Sequence, residues 1–167
     1  CFTHKHYSFG NHEDRWEKYI WENANKMATE MPSLDVVLNL EGLGYDYVPY
    51  LKHYNFLGFI ITHGDRTVQF AAKAMFNSYN SSGTSGHTNR PQSYTFSDAT
   101  SGKPDSWYVT GMLCRKDIGD IIKDWKKHQA WMQGFGIGIV KEGILHFELV
   151  RVHHGKFLAA GEIWNVG

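Results

Sequence analysis

Three short stretches of the chain set an imidazole or a side-chain amide beside glycine: Gly10-Asn11-His12-Glu13, Thr62-His63-Gly64-Asp65 and Gly86-His87-Thr88-Asn89. Glycine at such places lets a strand hand its last residue to a tight loop. Imidazole is the commonest metal ligand among side chains, and an amide oxygen also coordinates cations. A pair of divalent cations clamps a phosphate, lowers the pKa of a bridging water and stabilises charge on a transferring phosphoryl group. Such a site needs several ligands converging from strand tips. The three stretches carry residue types suited to one half of it.

The elements that must position these loops are legible in outline. Thr3 to Phe9 alternates loosely and ends at Gly10, as a strand running into a loop does. Glu13 to Met27 then reads as an amphipathic helix, with Trp16, Tyr19, Ile20 and Ala24 at helical spacing and Glu13 and Asp14 complementing the dipole of its first turn. Pro32 interrupts, and Leu34 to Leu40 suggests a short helical turn. Tyr45 to Tyr50 and Phe56 to Thr62 read as strands, the second delivering His63. Thr67 to Tyr79 is helical by composition, with Phe70, Ala74 and Tyr79 facing inward. Asn80 to Ser85 reads as a polar connector of ordinary loop length. Further strands are expected at Gln92 to Phe96, Trp107 to Leu113, Phe135 to Val140, Ile144 to Val152 and Lys156 to Ile163, with turns at Lys141-Glu142-Gly143 and His153-His154-Gly155 joining the last three into a meander. Ile118 to Met132 reads as a helix or extended loop.

Bulk composition narrows the function classes. The 167 residues, 42% of them hydrophobic, suffice for one domain with a substantial core. Seventeen basic and seventeen acidic side chains cancel, so no global attraction to nucleic acid or anionic membrane follows. Two cysteines, Cys1 and Cys114, make neither a disulfide framework nor a zinc ribbon, and a reducing cytoplasm is the expected compartment. The longest apolar runs fall short of the ~20 residues that span a bilayer, and the first ten residues do not read as a secretory signal.

The order Gly-Asn-His-Glu, His-Gly, Gly-His-x-Asn resembles the motif series of the calcineurin-like metallophosphoesterases. Asn11-His12-Glu13-Asp14-Arg15 followed by a helix, Gly44-Tyr45 to Val48-Pro49-Tyr50, His87-Thr88-Asn89-Arg90-Pro91 and Trp131-x-x-Gly134-Phe135 are similar to the prokaryotic and viral (phage) branch. The resemblance covers nearly the whole chain. It implies an α/β fold of two packed sheets flanked by helices, a two-sheet sandwich with its metals at the strand tips. Residues 1–167 would form a single domain, the C-terminal portion of the family's fold, missing its first strands.

The resemblance further implies a hydrolase that cleaves phosphomonoesters or phosphodiesters by attack of a metal-activated hydroxide. Asn11, His63 and His87 would ligate the second metal, Asn89 would touch the other, and His12 would be the general acid for the leaving alkoxide. Arg15 and Arg90, each just after a ligand loop, suit a substrate phosphate, although a surface ion pair is the plainer reading of each. Two divalent ions, of manganese, iron or zinc, are implied for the complete protein, with a phosphate ester, nucleotide or nucleic acid as partner and no membrane.

Two departures from the family pattern are plain in the chain. Asn89 stands where the family usually has a second histidine, and the opening Asp-x-His and Gly-Asp-x-x-Asp motifs, which supply the first metal's ligands, do not occur. Gly119-Asp120 with Asp124 has the wrong spacing and reads as a solvated helix face. A chain without the opening strands would expose an unpaired edge where Thr3 to Phe9 loses a neighbour and, alone, bind at most one metal and turn over slowly or not at all. The alternative is a degenerate or fragmentary member serving as a non-catalytic phosphate- or nucleic-acid-binding module. His4 and His6 share a strand face without a third ligand, and the scattered aromatic residues, lacking a basic stripe, favour packing over base stacking.

Overall fold

The computed structural model describes residues 4–24, 26, 29–97, 102, 104–114 and 130–165. The chain divides into two compact units, Cys1–Tyr54 with Thr62–Asp65, and Asn55–Ile61 with Arg66–Gly167.

In the first unit a parallel strand pair carries the scaffold. Strand β1 (His6–Ser8) pairs with β2 (Asp46–Val48) in the register His6↔Asp46, Tyr7↔Tyr47, Ser8↔Val48. Parallel neighbours require a crossover, because a tight hairpin can only return the chain antiparallel. Here the crossover holds helix α1 (Asn11–Asn23) and the four-residue helix α2 (Leu34–Val37). Backbone bonds extend the pairing at both ends, from Phe9 N–H to Val48 O at 2.9 Å and from Asp46 N–H to Lys5 O at 2.8 Å. Phe9, Leu40 and Val48 are the buried apolar residues, and the Tyr47 ring meets Phe9 at a centroid distance of 4.5 Å. None of the residues of α1 is buried, and Trp16, Tyr19 and Trp21 are exposed, so the apolar face expected on this helix is not covered within the unit.

The second unit holds most of a five-stranded mixed sheet in the order β3-β4-β5-β7-β6. These strands are β3 (His53–Phe56), β4 (Phe59–Thr62), β5 (Gly83–Ser85), β6 (Gln92–Ser97) and β7 (Pro104–Val109). The chain passes from the first unit into the second along β3 and returns at the end of β4. Helix α3 (Ala71–Tyr79) presents Ala71, Ala72, Met75 and Phe76 to Trp107 and Val109 of β7, both with 0% exposure. Those four positions lie on one stripe of a 3.6-residue helix. The Trp107 indole stacks on Tyr79 at 5.1 Å, and its Nε1–H donates to Ser85 Oγ at 3.1 Å, which satisfies the one polar atom of the ring. Asn80 closes α3 in the left-handed region, its N–H reaching Phe76 O at 2.7 Å.

Two antiparallel hairpins follow, β8 (Gly134–Lys141) with β9 (Ile144–Arg151) and β10 (Lys156–Ala159) with β11 (Glu162–Asn165). Their connections, Glu142-Gly143 and Ala160-Gly161, have positive φ at both residues, the signature of tight two-residue hairpin turns.

These sheets correct the expected α/β two-sheet sandwich flanked by helices. Among the described residues the strands form four separate sheets, three of them two-stranded. The physical reason is local: paired left-handed residues at tight turns fold each C-terminal strand onto its sequence neighbour. The stretch Lys156 to Ile163 is therefore two strands, split at Ala160-Gly161, and Phe56 to Thr62 is split at Leu57-Gly58. The expected three-stranded meander reduces to a β8–β9 ladder, with the isolated bridge His153↔Lys156 at the start of the next hairpin. Phe70 is exposed, because α3 begins one residue later than its side chain would need. The Asn80 to Ser85 connector contains β5, whose three residues are all buried. The expected helix or loop from Ile118 falls outside the described residues as far as residue 129, as do Gly119, Asp120 and Asp124. Among the described residues no helix is long and apolar enough to cross a membrane.

Trp107 anchors the second unit's core, so Trp107→Ala is expected to lower unfolding free energy by about 3–5 kcal/mol. Urea denaturation followed by the remaining tryptophan fluorescence measures it, and a loss below about 1 kcal/mol would show the cluster to be peripheral.

Candidate functional site

Two of the sequence motifs meet in the first unit. Phe9 ends the β1 segment buried, and Gly10 has extended backbone, φ −102° and ψ −174°, before Asn11 opens α1. His63 follows Thr62 at the end of β4, and Gly64, at φ +88°, turns the chain immediately after it. Thr62 is buried, and its hydroxyl donates to Lys52 O at 2.9 Å, which fixes the strand tip. The result is a contact between residues far apart in the chain: Asn11 Oδ1 lies 3.1 Å from His63 Nε2.

Glycine at position 10 is a steric requirement of that contact. A Cβ there would press against His63 Cε1 and lie 2.7 Å from both ring nitrogens. The Tyr50 ring approaches the imidazole from another direction, edge-on at 6.3 Å.

Glu13 reaches back so that its Oε2 accepts the Gly10 N–H at 2.9 Å, one half of a capping box. Burial, followed by the nearby charge of Glu13, holds the Tyr7 phenol above its ordinary 10.0. Asp14 pairs with Lys18 at 2.7 Å, one turn along the exposed side of α1. Both carboxylates of the first helical turn therefore have protein partners. His12 and Arg15 are exposed on the same turn and the next.

His87, Asn89 and Arg90 belong to the second unit, in the loop that leaves β5. His87 at φ +64° and Asn89 at φ +56° both occupy the left-handed region, costing roughly 1–3 kcal/mol each unless the surroundings enforce it. The surroundings are visible: Met132 N–H donates to Asn89 O at 2.9 Å, and Thr88 N–H to Gly86 O at 2.8 Å. Thr88, between the two strained residues, is 7% exposed, and its hydroxyl has no partner among the described residues. Arg90 Nη2 donates to Thr67 O at 3.0 Å and Val68 O at 3.1 Å. That nitrogen holds the segment entering α3 against the loop, which is a structural use of a side chain expected to contact substrate.

Among the described residues there is no group of three or more His, Cys, Asp or Glu side chains arranged to hold an ion. The residues that could hold one in the first unit are a mixed amide and imidazole pair. Sequence reasoning gave no role to Tyr50, whose ring meets His63, or to Thr62, whose hydroxyl fixes the strand tip that delivers it.

No family model matches the chain. It is similar to two mycobacteriophage proteins, each called Gene 54 protein. That of Mycobacterium phage D29 is 27% identical over 176 residues, covering 94% of this chain and 65% of the phage protein. That of Mycobacterium phage L5 is 27% identical over 169 residues, with the same coverage of 94% and 65%. The chain thus spans 65% of the length of these curated relatives. Neither name states an activity, so the chemistry rests on this chain's own residues.

Two outcomes follow from the local geometry. Gly10→Ala should displace the His63 ring and cost about 1–3 kcal/mol, read by denaturation and by the His63 ring resonances in NMR; an unmoved ring would show that the backbone yields instead. Because the Tyr7 phenol is raised, any stability it contributes is fully present below the unfolded value near 10.0 and is lost as pH rises through the folded value. Tyrosinate absorbance should show a late-titrating phenol that moves to lower pH in Glu13→Gln.

Proposed function

We propose that this chain carries the second-metal side of a metallophosphoesterase site, acting on phosphate esters. The supporting observation is the 3.1 Å separation of Asn11 Oδ1 and His63 Nε2. Adjacent ligands of one octahedral ion with bonds of about 2.1 Å stand about 3 Å apart. An amide oxygen with an imidazole nitrogen is also a donor set suited to manganese, iron or zinc. Glycine at position 10, forced by the imidazole that lies against it, is the cradle expected around a ligand held in place.

When bound, divalent cations supply charge neutralisation on the phosphoryl group and a more acidic coordinated water. The chain's own residues have separate tasks. Asn11 and His63 bind and orient from a strand tip and a helix start. His12, exposed in the first turn of α1, holds a proton for the leaving alkoxide. Arg15 lies four residues after Asn11, on the same helix face, and offers its guanidinium to a substrate phosphate. His87 and Asn89, in the second unit, are the remaining residues that the motif resemblance gives to metal binding. Substrate class, whether monoester, diester, nucleotide or nucleic-acid end, belongs to the whole protein, and longer relatives make its activity a matter for the full-length form.

A second reading, a phosphate- or nucleic-acid-binding module without turnover, is favoured by specific residues. Asn89 replaces an imidazole, and Glu13 and Asp14 are committed to Gly10 N–H and Lys18.

Calorimetric titration of the chain with Mn²⁺ separates the outcomes. Asn11→Ala and His63→Ala are each expected to weaken uptake at least about tenfold, and unchanged binding in both would remove the pair as ligands. Slow, chelator-sensitive hydrolysis of a bis-aryl phosphate supports the enzyme, whereas phosphate binding without any turnover in the full-length form supports the module. Asn89→His should raise affinity for Zn²⁺ if position 89 faces an ion.

A further inference from the structure

Strand β7 presents two different faces. Trp107 and Val109 pack toward helix α3, whereas Pro104, Ser106 and Tyr108 alternate onto the opposite face. There they line a cleft of about 290 Å³ together with Phe59 of β4, Ser82 just before β5, and residues Leu145 to Phe147 of β9. All of these residues belong to the second unit. Pockets for small ligands run from about 300 to 1,000 Å³, so this one suits a single small ring system.

One wall of the cleft is aromatic. Phe147 stacks on Phe59 at a centroid distance of 5.1 Å and meets Tyr108 at 4.7 Å. Phe59 is buried, whereas Tyr108 and Phe147 are half-buried and keep ring surface open to the cleft. A side chain at position 136 would press against the Phe147 ring, so glycine there lets that ring lie over β8.

The other wall carries hydroxyls. Ser82 Oγ donates to Asp105 Oδ1 at 2.7 Å and accepts the Ser106 N–H at 3.1 Å, which fixes it. Ser106 Oγ lies 2.9 Å from Thr95 Oγ1. Thr84 is paired in register with Tyr108, which puts the two side chains on one face of the sheet. Its neighbour Ser85 faces the other way and takes the Trp107 indole N–H. Thr84 is 8% exposed, and its hydroxyl has no partner among the described residues. A buried hydroxyl left unsatisfied is destabilising, and a ligand edge bonded to it would recover the loss. Among the described residues no lysine, arginine, aspartate or glutamate lines the cleft, so an anion would find little to hold it. Flat rings beside hydroxyls, which both donate and accept, match a neutral heteroaromatic ring with both kinds of group on its edge.

We propose that this cleft binds a single nucleobase, its ring stacked against Tyr108 and Phe147 and its edge bonded by the hydroxyls of Ser106 and Thr84. The inference goes beyond the metal reading and does not rest on it, because none of these residues belongs to the proposed ligand set.

The test uses the full chain with a chelator present, so that metal uptake does not enter the result. Adenosine, guanosine, cytidine and thymidine are titrated separately, with ribose and inorganic phosphate as controls. Binding is read by calorimetry and by the Tyr108 and Phe147 ring resonances in NMR. At least one nucleoside should bind with a dissociation constant below about 1 mM and move both rings, while ribose and phosphate move neither. Tyr108→Leu, which removes a flat ring, should weaken that nucleoside at least about fivefold. Thr84→Val keeps the side-chain shape and carries the test if Tyr108→Leu fails to fold. It should also weaken binding severalfold while leaving the thermal midpoint unchanged or higher, since it removes an unsatisfied buried group. A homopolymer of the preferred base tells the source: tighter binding than the nucleoside marks a base in a single strand, and equal or weaker binding marks a free nucleoside. Either result sustains the cleft. Undiminished affinity in Thr84→Val, ribose or phosphate moving the same rings, or no nucleoside bound at about 5 mM overturns the proposal.

Discussion

Residue 10 has no room for a side chain, because the His63 ring lies against the place where a Cβ would sit. That exclusion organises the first unit's site. Glycine lets the backbone approach the imidazole, Asn11 then begins α1 with its amide oxygen against Nε2, and Glu13 folds back onto the same glycine's N–H. A functional pair is usually only as precise as the groups behind it. Here those groups are backbone and a capping carboxylate, contributed by residues 10 to 13.

The second unit solves a comparable problem with a different device. Its loop after β5 carries two non-glycine residues in the left-handed region, His87 and Asn89, and such strain persists only where the surroundings over-determine it. A buried strand leads into the loop, with Ser85 fixed by the Trp107 indole. Beyond it, Asn89 O is bound by Met132 N–H, and Arg90 clasps the carbonyls of Thr67 and Val68. Thr88, held between the strained residues with its hydroxyl buried and without a partner among the described residues, adds a further cost at the same place. Strain and an unmet hydrogen bond at one loop are features that packing alone would not favour.

Glycine made both places legible in the sequence, because a tight turn or a close approach is written in residue type. A helix soon after Gly10 was readable, though it was expected from Glu13 and begins at Asn11, as were the β8 and β9 strands and the Glu142-Gly143 turn. Other elements were hidden by their chemistry. Strand β5 reads Gly-Thr-Ser, without the apolar alternation that marks a strand, yet all three residues are buried beneath their neighbours. Leu57-Gly58 and Ala160-Gly161 sit inside apolar runs, where hydrophobicity argues for continuity and only the backbone reveals a turn. The sheet arrangement failed as an expectation because hairpin closure is local, whereas a sandwich depends on long-range pairings that no periodicity encodes.

The corrected fold leaves the chemistry of the Asn11–His63 pair intact, since function resides in sites rather than in architectures. For the proposed ligand pair one geometry would serve two uses. With a proton on Nε2, the imidazole donates to the amide oxygen, and 3.1 Å is a good hydrogen bond. To bind a cation, Nε2 must instead offer its lone pair, so the proton moves to Nδ1 or leaves, and the amide oxygen turns from acceptor to ligand at nearly the same distance. Little rearrangement separates the two states, provided that the backbone of residues 10 and 11 stays fixed. Two donors are too few for a cation that takes roughly four to six, so for the pair alone the hydrogen-bonded state wins.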